Sequence, residues 1–128
     1  MSASSLASRF GPGRLEPLVP DASTRSFFRQ FLAQGQTRIV MSDPAGGVAA
    51  LDRLVAAHAL LSSIDVPVPR LYERDDSVAA VVFEDFGDRL LADVLPSLDL
   101  AARTAAYIEA ARIAARIASR GTAALADS

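Results

Sequence analysis

The stretch SFFRQFLAQGQTRIVM, residues 26–41, decides the fold class of this chain. Its aromatic first part, residues 26–32, has the composition of a β-strand. Residues 33–36 contain a glycine and predict a hairpin turn, after which residues 37–41 return as a second strand. Such a hairpin needs further strands or a helix to cover it, because two strands alone are only marginally stable.

The segments on both sides of this hairpin supply those partners. Residues 15–19 predict a short extended segment before it. After it, apolar side chains over Val48–Ile64 recur at helical spacing, and the prolines that follow end the helix. Residues 70–74 and 78–83 then predict two more strands, and the second is so apolar that we expect burial on both of its faces.

The last third of the chain has a helical pattern. Residues 89–95 predict a short helix stopped by Pro96, and Ser97 or Asp99 can cap a long helix that runs to about Arg120. Gly121 is placed as its C-terminal stop. The expected fold class is therefore α+β, a five-stranded, mostly antiparallel sheet with one packed helix, followed by C-terminal helices.

Composition excludes several kinds of chemistry. The 128 residues are 51% hydrophobic and 22% charged, with a formal net charge of -2, which indicates a globular domain rather than a nucleic-acid-binding one. There is no cysteine, one histidine and no lysine, so disulfides, thiolate metal sites and Schiff bases are excluded. No signal peptide or membrane span is predicted, and we expect the chain in the cytoplasm.

Four short pieces, taken in order, carry a family resemblance. They are Asp21-Ala22-Ser23-Thr24-Arg25 with Phe28-Arg29, Ile39-Val40-Met41 with Asp43-Pro44, Val66-Pro67-Val68-Pro69, and Val82-Phe83-Glu84-Asp85-Phe86-Gly87-Asp88. Together they resemble the small nucleotide-binding lobe of the aminoglycoside phosphotransferase family, which has a protein-kinase-like fold. Within that family the chain looks most similar to sugar kinases that phosphorylate N-acetylmuramate and N-acetylglucosamine at the anomeric position.

The resemblance implies a division of the chain into three parts. Residues 1–13 would be a flexible N-terminal arm, residues 14–86 the nucleotide-binding small lobe, and residues 87–128 the hinge exit with helices that belong to the start of the large lobe. The family's catalytic loop, His-Gly-Asp, occurs nowhere in this chain, so the catalytic large lobe is expected to be missing. Pro20 also stands where the family usually has glycine.

The resemblance further implies an ATP-binding lobe of a phosphotransferase acting on a sugar or amino-sugar hydroxyl. Magnesium ligands and catalytic residues would come from the missing lobe, so this chain alone is expected to be inactive. The alternative is a non-catalytic truncated module that binds a nucleotide or a protein partner. Neither reading involves nucleic acid or a membrane.

Nine residues are candidates for nucleotide binding, each with a structural alternative. In the loop Asp21–Arg25, backbone N–H groups and the side-chain hydroxyls would hold phosphates. The alternative is that this loop is an ordinary hairpin turn. Met41 would lie beside the nucleotide or only fill the core. Phe83, Glu84 and Asp85 would form the hinge that binds the adenine edge. The alternative is that Glu84 and Asp85 are solvated charges at the end of a strand. The candidates are Asp21, Ala22, Ser23, Thr24, Arg25, Met41, Phe83, Glu84 and Asp85.

Other charged groups favour structural interpretations. The pair Asp75-Asp76 lies in a predicted turn, where aspartate is common, rather than in a metal or acid–base site. Asp52 and Arg53 could replace the glutamate that orients phosphates in kinases, but their spacing does not require it. The stripe Arg112, Arg116 and Arg120 is expected to be a solvated helix face rather than a polyanion site.

The long helix predicted over residues 99–120 is apolar on several sides, because alanine and isoleucine occupy most of its positions. A small lobe can cover only one side of it. We therefore expect that Tyr107, Ile113 and Ile117 cannot all be buried in a monomer, and that the helix supports self-association or binding of the missing lobe.

Overall fold

A computed structural model describes residues 6–19 and 24–127. Five strands form one sheet in the order β1-β2-β3-β5-β4, and the four strand pairings described are antiparallel. The strands are β1 (Arg14–Pro17), β2 (Ser26–Phe31), β3 (Thr37–Ser42), β4 (Leu71–Asp75) and β5 (Ala80–Glu84). The α+β class and the antiparallel five-stranded sheet expected from the sequence are confirmed.

One long helix lies between β3 and β4 in the chain, and three further helices of the described residues follow β5; Leu6 and Ala7, before β1, are also helical. The helices are α1 (Gly47–Ser63), α2 (Leu91–Val94), α3 (Leu100–Arg116) and α4 (Thr122–Ala126). Short 3₁₀ turns occupy Ala33–Gly35, Asp76–Val78 and Leu95–Ser97, and a π-helical turn, Ile117–Gly121, joins α3 to α4. The predicted hairpin and the helix predicted at 48–64 are confirmed within one residue at each helix end.

The chain divides into two compact units. The strand unit comprises residues 1–55 and 69–85, and the helical unit comprises residues 56–68 and 86–128, each within the described ranges. The strand unit ends at Asp85, one residue before the end of the small lobe predicted at residue 86. Helix α1 contributes its first half to the strand unit and its second half to the helical unit, which the sequence did not predict.

The strand registers define two faces of the sheet. On the first, which we call the helix-bearing face, Met41 pairs with both Phe27 and Val81. Leu51 of α1 is fully buried against Met41 and Val81, and Leu54 packs at the edge of the same cluster. Burial of these aliphatic side chains holds α1 on the sheet, at roughly 1.5–3 kcal/mol per fully buried side chain.

The opposite face is covered from the N-terminal side of the chain. Leu6 and Phe10 are buried in one cluster with Phe28, Val40 and Val82 of the sheet. The Gln30 side chain donates a hydrogen bond to the Phe10 carbonyl at 2.7 Å. The sequence predicted a flexible arm over residues 1–13. The described part of this arm, residues 6–13, instead packs on the strand unit, because Leu6 and Phe10 bury their apolar side chains against this face.

The expected double-sided burial of the last strand is confirmed. Val81 lies on the helix-bearing face and Val82 on the opposite face, and both are fully buried. Successive strand residues point to opposite faces, so a strand covered on both faces must be apolar at every position. This is why residues 80–83 show no alternation. The strand begins two residues later than predicted, because Asp76–Val78 form a 3₁₀ turn and Ala79 is left-handed.

Asp43 joins the end of β3 to the start of α1. Its carboxylate accepts a hydrogen bond from the Gly46 N–H at 2.9 Å, and its carbonyl accepts one from the Gly47 N–H at 2.9 Å. A side chain at Gly46 would collide with this turn, since a Cβ there would lie 2.5 Å from Asp43 Oδ2. Glycine is therefore required at Gly46 by close approach.

The long C-terminal helix begins as predicted and continues further than predicted. The Asp99 carboxylate accepts a hydrogen bond from the Ala102 N–H at 2.8 Å, so Asp99 is the N-cap. Gly121 was expected to stop the helix, but this is wrong, because its backbone is helical with φ of -64° and the chain continues into α4. A π-helical turn, Ile117–Gly121, joins the two helices at this glycine.

Candidate functional site

Three of the predicted loop residues, Asp21, Ala22 and Ser23, lie outside the described residues, as does Pro20. Thr24 and Arg25 are described, and both are exposed. The Arg25 Nε lies 3.7 Å from Oδ2 of the buried Asp43. The one predicted loop cation therefore faces the carboxylate that holds the turn before α1.

Met41 is buried in the core of the strand unit. It contacts Leu51 of α1 and Val81 of β5, on the helix-bearing face. The interpretation of Met41 as core filling is confirmed, and methionine suits this place because its flexible thioether adapts to irregular gaps.

Next to the Met41 row, the helix-bearing face becomes half-exposed. In this second row, Arg29 pairs with Ile39, Ile39 with Phe83, and Phe83 with Leu71. All four side chains are half-buried, and Phe83 also packs on the Met41 cluster. We call Arg29, Ile39, Phe83 and Leu71 the half-exposed row. It presents aromatic and aliphatic surface directly beside the end of β5.

Two carboxylates end β5, and they differ in environment. Glu84 accepts a hydrogen bond from the Arg70 N–H at 3.0 Å and is half-buried. The Asp85 side chain is only 5% exposed and accepts hydrogen bonds from Arg29 Nε at 2.7 Å and Nη2 at 3.3 Å. The Thr37 hydroxyl donates to the same carboxylate at 2.8 Å. For Asp85, the alternative of a solvated charge at a strand end is wrong.

Arg29 and Thr37 are the site residues that the sequence analysis did not place. They are 56 and 48 positions before Asp85, so no local pattern joins them. A signal was present nonetheless, because Arg29 interrupts an aromatic strand at a position whose neighbours Phe27 and Phe31 point to the same face. A charge at such a position requires a partner.

A polar recess of about 370 Å³ lies at the sheet end where β3 begins and β5 ends. Its lining includes Gln36, Arg38, Tyr72 and Glu84. The Arg38 guanidinium stacks on the Tyr72 ring at 4.2 Å from its centroid, an arrangement that stabilises both side chains. The recess opens beside the candidate hinge segment, Phe83–Asp85.

The predicted turn at Asp75-Asp76 is confirmed. The Ser77 hydroxyl donates to the Asp75 carboxylate and lowers the pKa of Asp75, and the Ser77 N–H acts in the same direction. Hydrogen bonds to Asp76 and Asp52 raise the pKa of Arg74. These carboxylates therefore have turn and ion-pair partners that account for their positions.

The remaining candidates have structural contacts or an exposed position. Asp52 pairs with Arg74 at 2.7 Å, and Arg53 is exposed. In the helical unit, Arg116 donates to the Asp65 carbonyl, and Arg120 pairs with the Asp65 carboxylate at 3.4 Å. Two of the three stripe arginines thus hold the segment after α1, a contact that the sequence analysis did not foresee.

Helix α3 has an exposed apolar surface, as expected. None of its residues 100–116, all of which are described, is buried. Tyr107 is 60% exposed, Ile108 and Ile117 are exposed, and Ile113 is half-buried. The prediction that Tyr107, Ile113 and Ile117 cannot all be buried is confirmed.

The described part of the chain lacks a metal-ligand cluster and a membrane-spanning helix. Residues 6–19 and 24–127 contain no group of three or more histidine or acidic side chains placed to hold a metal ion. Within the same ranges, none of the helices combines the length and apolar character that a membrane crossing needs.

Comparison with known proteins leaves the family open. The chain matches no protein-family model, and neither the curated proteins nor the solved structures include one with significant similarity to it. The evidence for function is therefore the chemistry and geometry of the site itself.

Proposed function

We propose that this chain is the ATP-binding small lobe of a kinase-like phosphotransferase, similar to the aminoglycoside phosphotransferase family and acting in the complete enzyme on a sugar or amino-sugar hydroxyl. The observation that carries the proposal is the half-exposed row beside the end of β5. There, Ile39 and Phe83 offer half-exposed apolar surface next to a strand end that Arg29 and Thr37 hold through Asp85.

A nucleotide base needs both features. Its faces are apolar and pack well on aromatic and aliphatic side chains, and its edge needs backbone donors and acceptors at a fixed place. Ile39 and Phe83 would contact the base, and the backbone of Phe83–Asp85 would form the hinge that binds its edge. The loop from Asp21 to Arg25 would hold the phosphates, with Met41 buried behind them.

Bound ATP would supply the phosphoryl group, and its magnesium ions would neutralise the phosphate charge. Phosphoryl transfer depends mostly on positioning and charge neutralisation, so a small lobe contributes by binding and orienting the nucleotide. Magnesium ligands and the general base are expected from a large lobe outside this chain. We expect the working location of such an enzyme to be the cytoplasm.

Chemical-shift mapping by NMR tests the proposal. ATP added to the chain should shift the amide signals of Phe83–Asp85, and of Thr24 and Arg25, and the double variant Ser23→Ala/Thr24→Ala should bind ATP more weakly by about tenfold. The double variant Ser119→Ala/Thr122→Ala is the matched control, because each hydroxyl donates to the carbonyl four residues earlier, at the junction of α3 and α4. Shifts confined to α3, with the hinge segment silent, would contradict the proposal.

The same proposal predicts that the 128 residues alone transfer no phosphate. A general base and metal ligands each contribute factors of about 10² or more to rate, and the family's catalytic-loop motif is not in this sequence. Formation of ADP from ATP can be measured with and without a sugar acceptor. Turnover above the blank that a substitution within this chain abolishes would overturn the expectation.

A second candidate, a non-catalytic partner-binding module, is favoured by the exposed surface of α3. Tyr107 and Ile108 of α3 are exposed, and so is Ile117 in the π-helical turn that follows it; exposed apolar side chains of this kind mark interaction sites. Sedimentation should show self-association that Ile108→Glu abolishes and that the polar-face control Glu109→Gln leaves unchanged. A clean monomer at high concentration would rule out this candidate as a self-associating module.

A further inference from the structure

Two opposite charges face each other across β3 and β5 at the polar recess, yet they do not pair. Arg38 and Glu84 are register partners on these strands, two positions along from the buried Val40 and Val82. They therefore lie on the face opposite α1, whereas the half-exposed row lies on the helix-bearing face. Partners in an antiparallel pair have Cβ atoms about 4.5–5.5 Å apart, which is close enough for an ion pair. Within the described residues, however, no ion pair or hydrogen bond joins Arg38 to Glu84.

Each of the two charges has a neighbour that holds it away from the other. The Arg38 guanidinium stacks on the Tyr72 ring at 4.2 Å from its centroid. A carboxylate oxygen of Glu84 accepts a hydrogen bond from the Arg70 N–H at 3.0 Å. Stacking uses the face of the guanidinium and leaves the N–H donors in its plane available, and none of these donors has an acceptor among residues 6–19 and 24–127. The recess therefore presents an oriented cation and an oriented anion to a ligand.

The size and the lining of the recess restrict what it can hold. Its volume of about 370 Å³ is at the lower end of the range for small-molecule sites, roughly 300–1,000 Å³. Among the described residues that line it, Leu32 alone is aliphatic, so an apolar ligand gains little there. The third charge of the lining, Asp85, is already paired within the fold. A ligand of one charge sign would bring a like charge beside either Arg38 or Glu84, so a ligand that carries both signs fits best.

We infer that the recess binds a small zwitterion of the α-amino-acid class, with its carboxylate on Arg38 and its ammonium group on Glu84. The planar fork of a guanidinium matches a carboxylate with two parallel hydrogen bonds, and an ammonium group donates charge-assisted hydrogen bonds to a carboxylate. The ligand thus gives each charge the partner that the strand register brings close but leaves unpaired. Because the lining is mostly polar, the side chain of the ligand is small or polar.

The zwitterion site is separate from the proposed nucleotide site. A nucleotide hinge would use the backbone of Phe83–Asp85 and the apolar surface of the half-exposed row, whereas the recess uses the side chains of Arg38 and Glu84 on the other face. A zwitterion that fails to bind leaves the nucleotide proposal standing, and a chain that does not bind ATP can still bind a zwitterion.

A series of three matched ligands tests the ligand class on the natural chain. L-Serine carries both charges, glycerate replaces its ammonium group with a hydroxyl, and serinol replaces its carboxylate with a hydroxymethyl group. At pH 7 and constant ionic strength, NMR shifts of the Arg38 Nε–H and of the Tyr72 and Glu84 amides give the three dissociation constants. L-Serine should bind about tenfold more tightly than either analogue, because each analogue loses a charge-assisted hydrogen bond.

Three outcomes of this series overturn the inference. If L-serine does not shift the signals of the recess, the recess is not a zwitterion site. Glycerate that binds as tightly as L-serine would make it an anion site, and serinol that binds as tightly would make it a cation site.

Substitution of each charge assigns the two ends of the ligand. Arg38→Gln should bring the dissociation constants of L-serine and serinol within about threefold of each other, because the carboxylate has lost its partner. Glu84→Gln should do the same for L-serine and glycerate. Arg112→Gln and Glu109→Gln are the charge-matched controls at exposed positions of α3, and both should keep the two tenfold differences. A folded Arg38→Gln or Glu84→Gln that keeps its tenfold difference contradicts the inference, and the ligand series does not depend on either variant folding.

Tyr72→Leu tests whether stacking keeps the two charges apart. Without the ring, Arg38 can turn to Glu84 and close the recess with an ion pair. L-Serine should therefore bind Tyr72→Leu about two- to fivefold more weakly than Tyr72→Phe, which keeps the ring. Equal affinities of the two variants would mean that stacking does not hold Arg38 in place, and would contradict the inferred site.

Discussion

The strand unit and the helical unit bury their apolar residues to very different degrees. In the strand unit, Val40, Val81 and Val82 on the central strands are fully buried. In the helical unit, none of the 17 residues of α3, a helix that the structure describes completely, is buried, and Tyr107 and Leu100 are largely exposed. The helical unit has the more apolar sequence of the two, so apolar composition alone does not produce a core.

Coverage explains the difference. The central strands have α1 on one face and the segment with Leu6 and Phe10 on the other, so both sets of alternating side chains leave water. A lone helix has apolar surface on several sides, and a neighbouring element can cover only one of them. The apolar residues of the strand unit therefore stabilise it, whereas many of those on α3 remain available for a partner.

Truncation of a leucine in each unit tests this comparison most strongly. Leu51→Ala should lower the free energy of unfolding by about 2–5 kcal/mol, because Leu51 is fully buried against Met41 and Val81. Leu100→Ala, at an 80% exposed position, should change it by less than about 0.5 kcal/mol. Urea denaturation of both variants gives the two values. Equal losses would mean that α3 is buried in solution.

A methyl group added at a glycine in each unit gives the next largest effect. Gly46→Ala should destabilise the chain by about 1–3 kcal/mol, because the new Cβ would lie 2.5 Å from Asp43 Oδ2 and 2.6 Å from the Ala50 Cβ. Thermal denaturation measures the change. A neutral result would show that the turn between β3 and α1 is looser than its hydrogen bonds indicate.

The corresponding change in the helical unit should have the opposite sign. Gly121→Ala should stabilise the chain by about 0.5–1 kcal/mol, because Gly121 is helical and a Cβ there would meet Ile64 and Ile117 at ordinary distances of 3.7 and 3.8 Å. Hydrogen exchange of the α3 and α4 amides measures the local gain. Destabilisation would indicate instead that the helix ends at Gly121 in a left-handed conformation.

The smallest effect concerns pH and lies in the strand unit. Ser77 donates to Asp75 and holds the pKa of Asp75 below its usual value, so the ionised carboxylate stabilises the folded chain above its unfolded pKa of about 3.9. This contribution is lost as the pH falls through the lower, folded pKa. Asp75→Asn should therefore be less stable than the natural chain at pH 7, and the difference should shrink towards pH 2.

Denaturation at several pH values gives that difference, and Ser77→Ala should show the same convergence because it removes a donor from the same carboxylate. A gap between Asp75→Asn and the natural chain that stays constant from pH 7 to pH 2 would show that the Ser77 hydrogen bonds do not favour the ionised form.

Elements with a strong local pattern were predictable from the sequence. The strand predicted at 37–41 extends to Ser42, and the helix predicted at 48–64 is α1 at Gly47–Ser63. The Asp99 cap was also predictable, because capping joins a side chain to a backbone N–H only three residues away. The resemblance placed the candidate hinge at Phe83, Glu84 and Asp85, and the nucleotide role of that segment is still a prediction.

Features that depend on distant residues were not predictable. The burial of Asp85 is decided by Arg29 and Thr37, which come close only when β2 and β3 pair and β5 joins them. Leu6 and Phe10 belong to the core because they pack on the sheet face opposite α1.

The amino-acid sequence by itself determined the hairpin, the long helix, the apolar central strand and the exclusion of cysteine and lysine chemistry, since each follows from local spacing or composition. Only the tertiary structure decided which charges are paired, which apolar residues are covered and whether Gly121 ends a helix. The physical reason is that pairing and coverage depend on the sheet register, which brings together residues that are far apart in the chain.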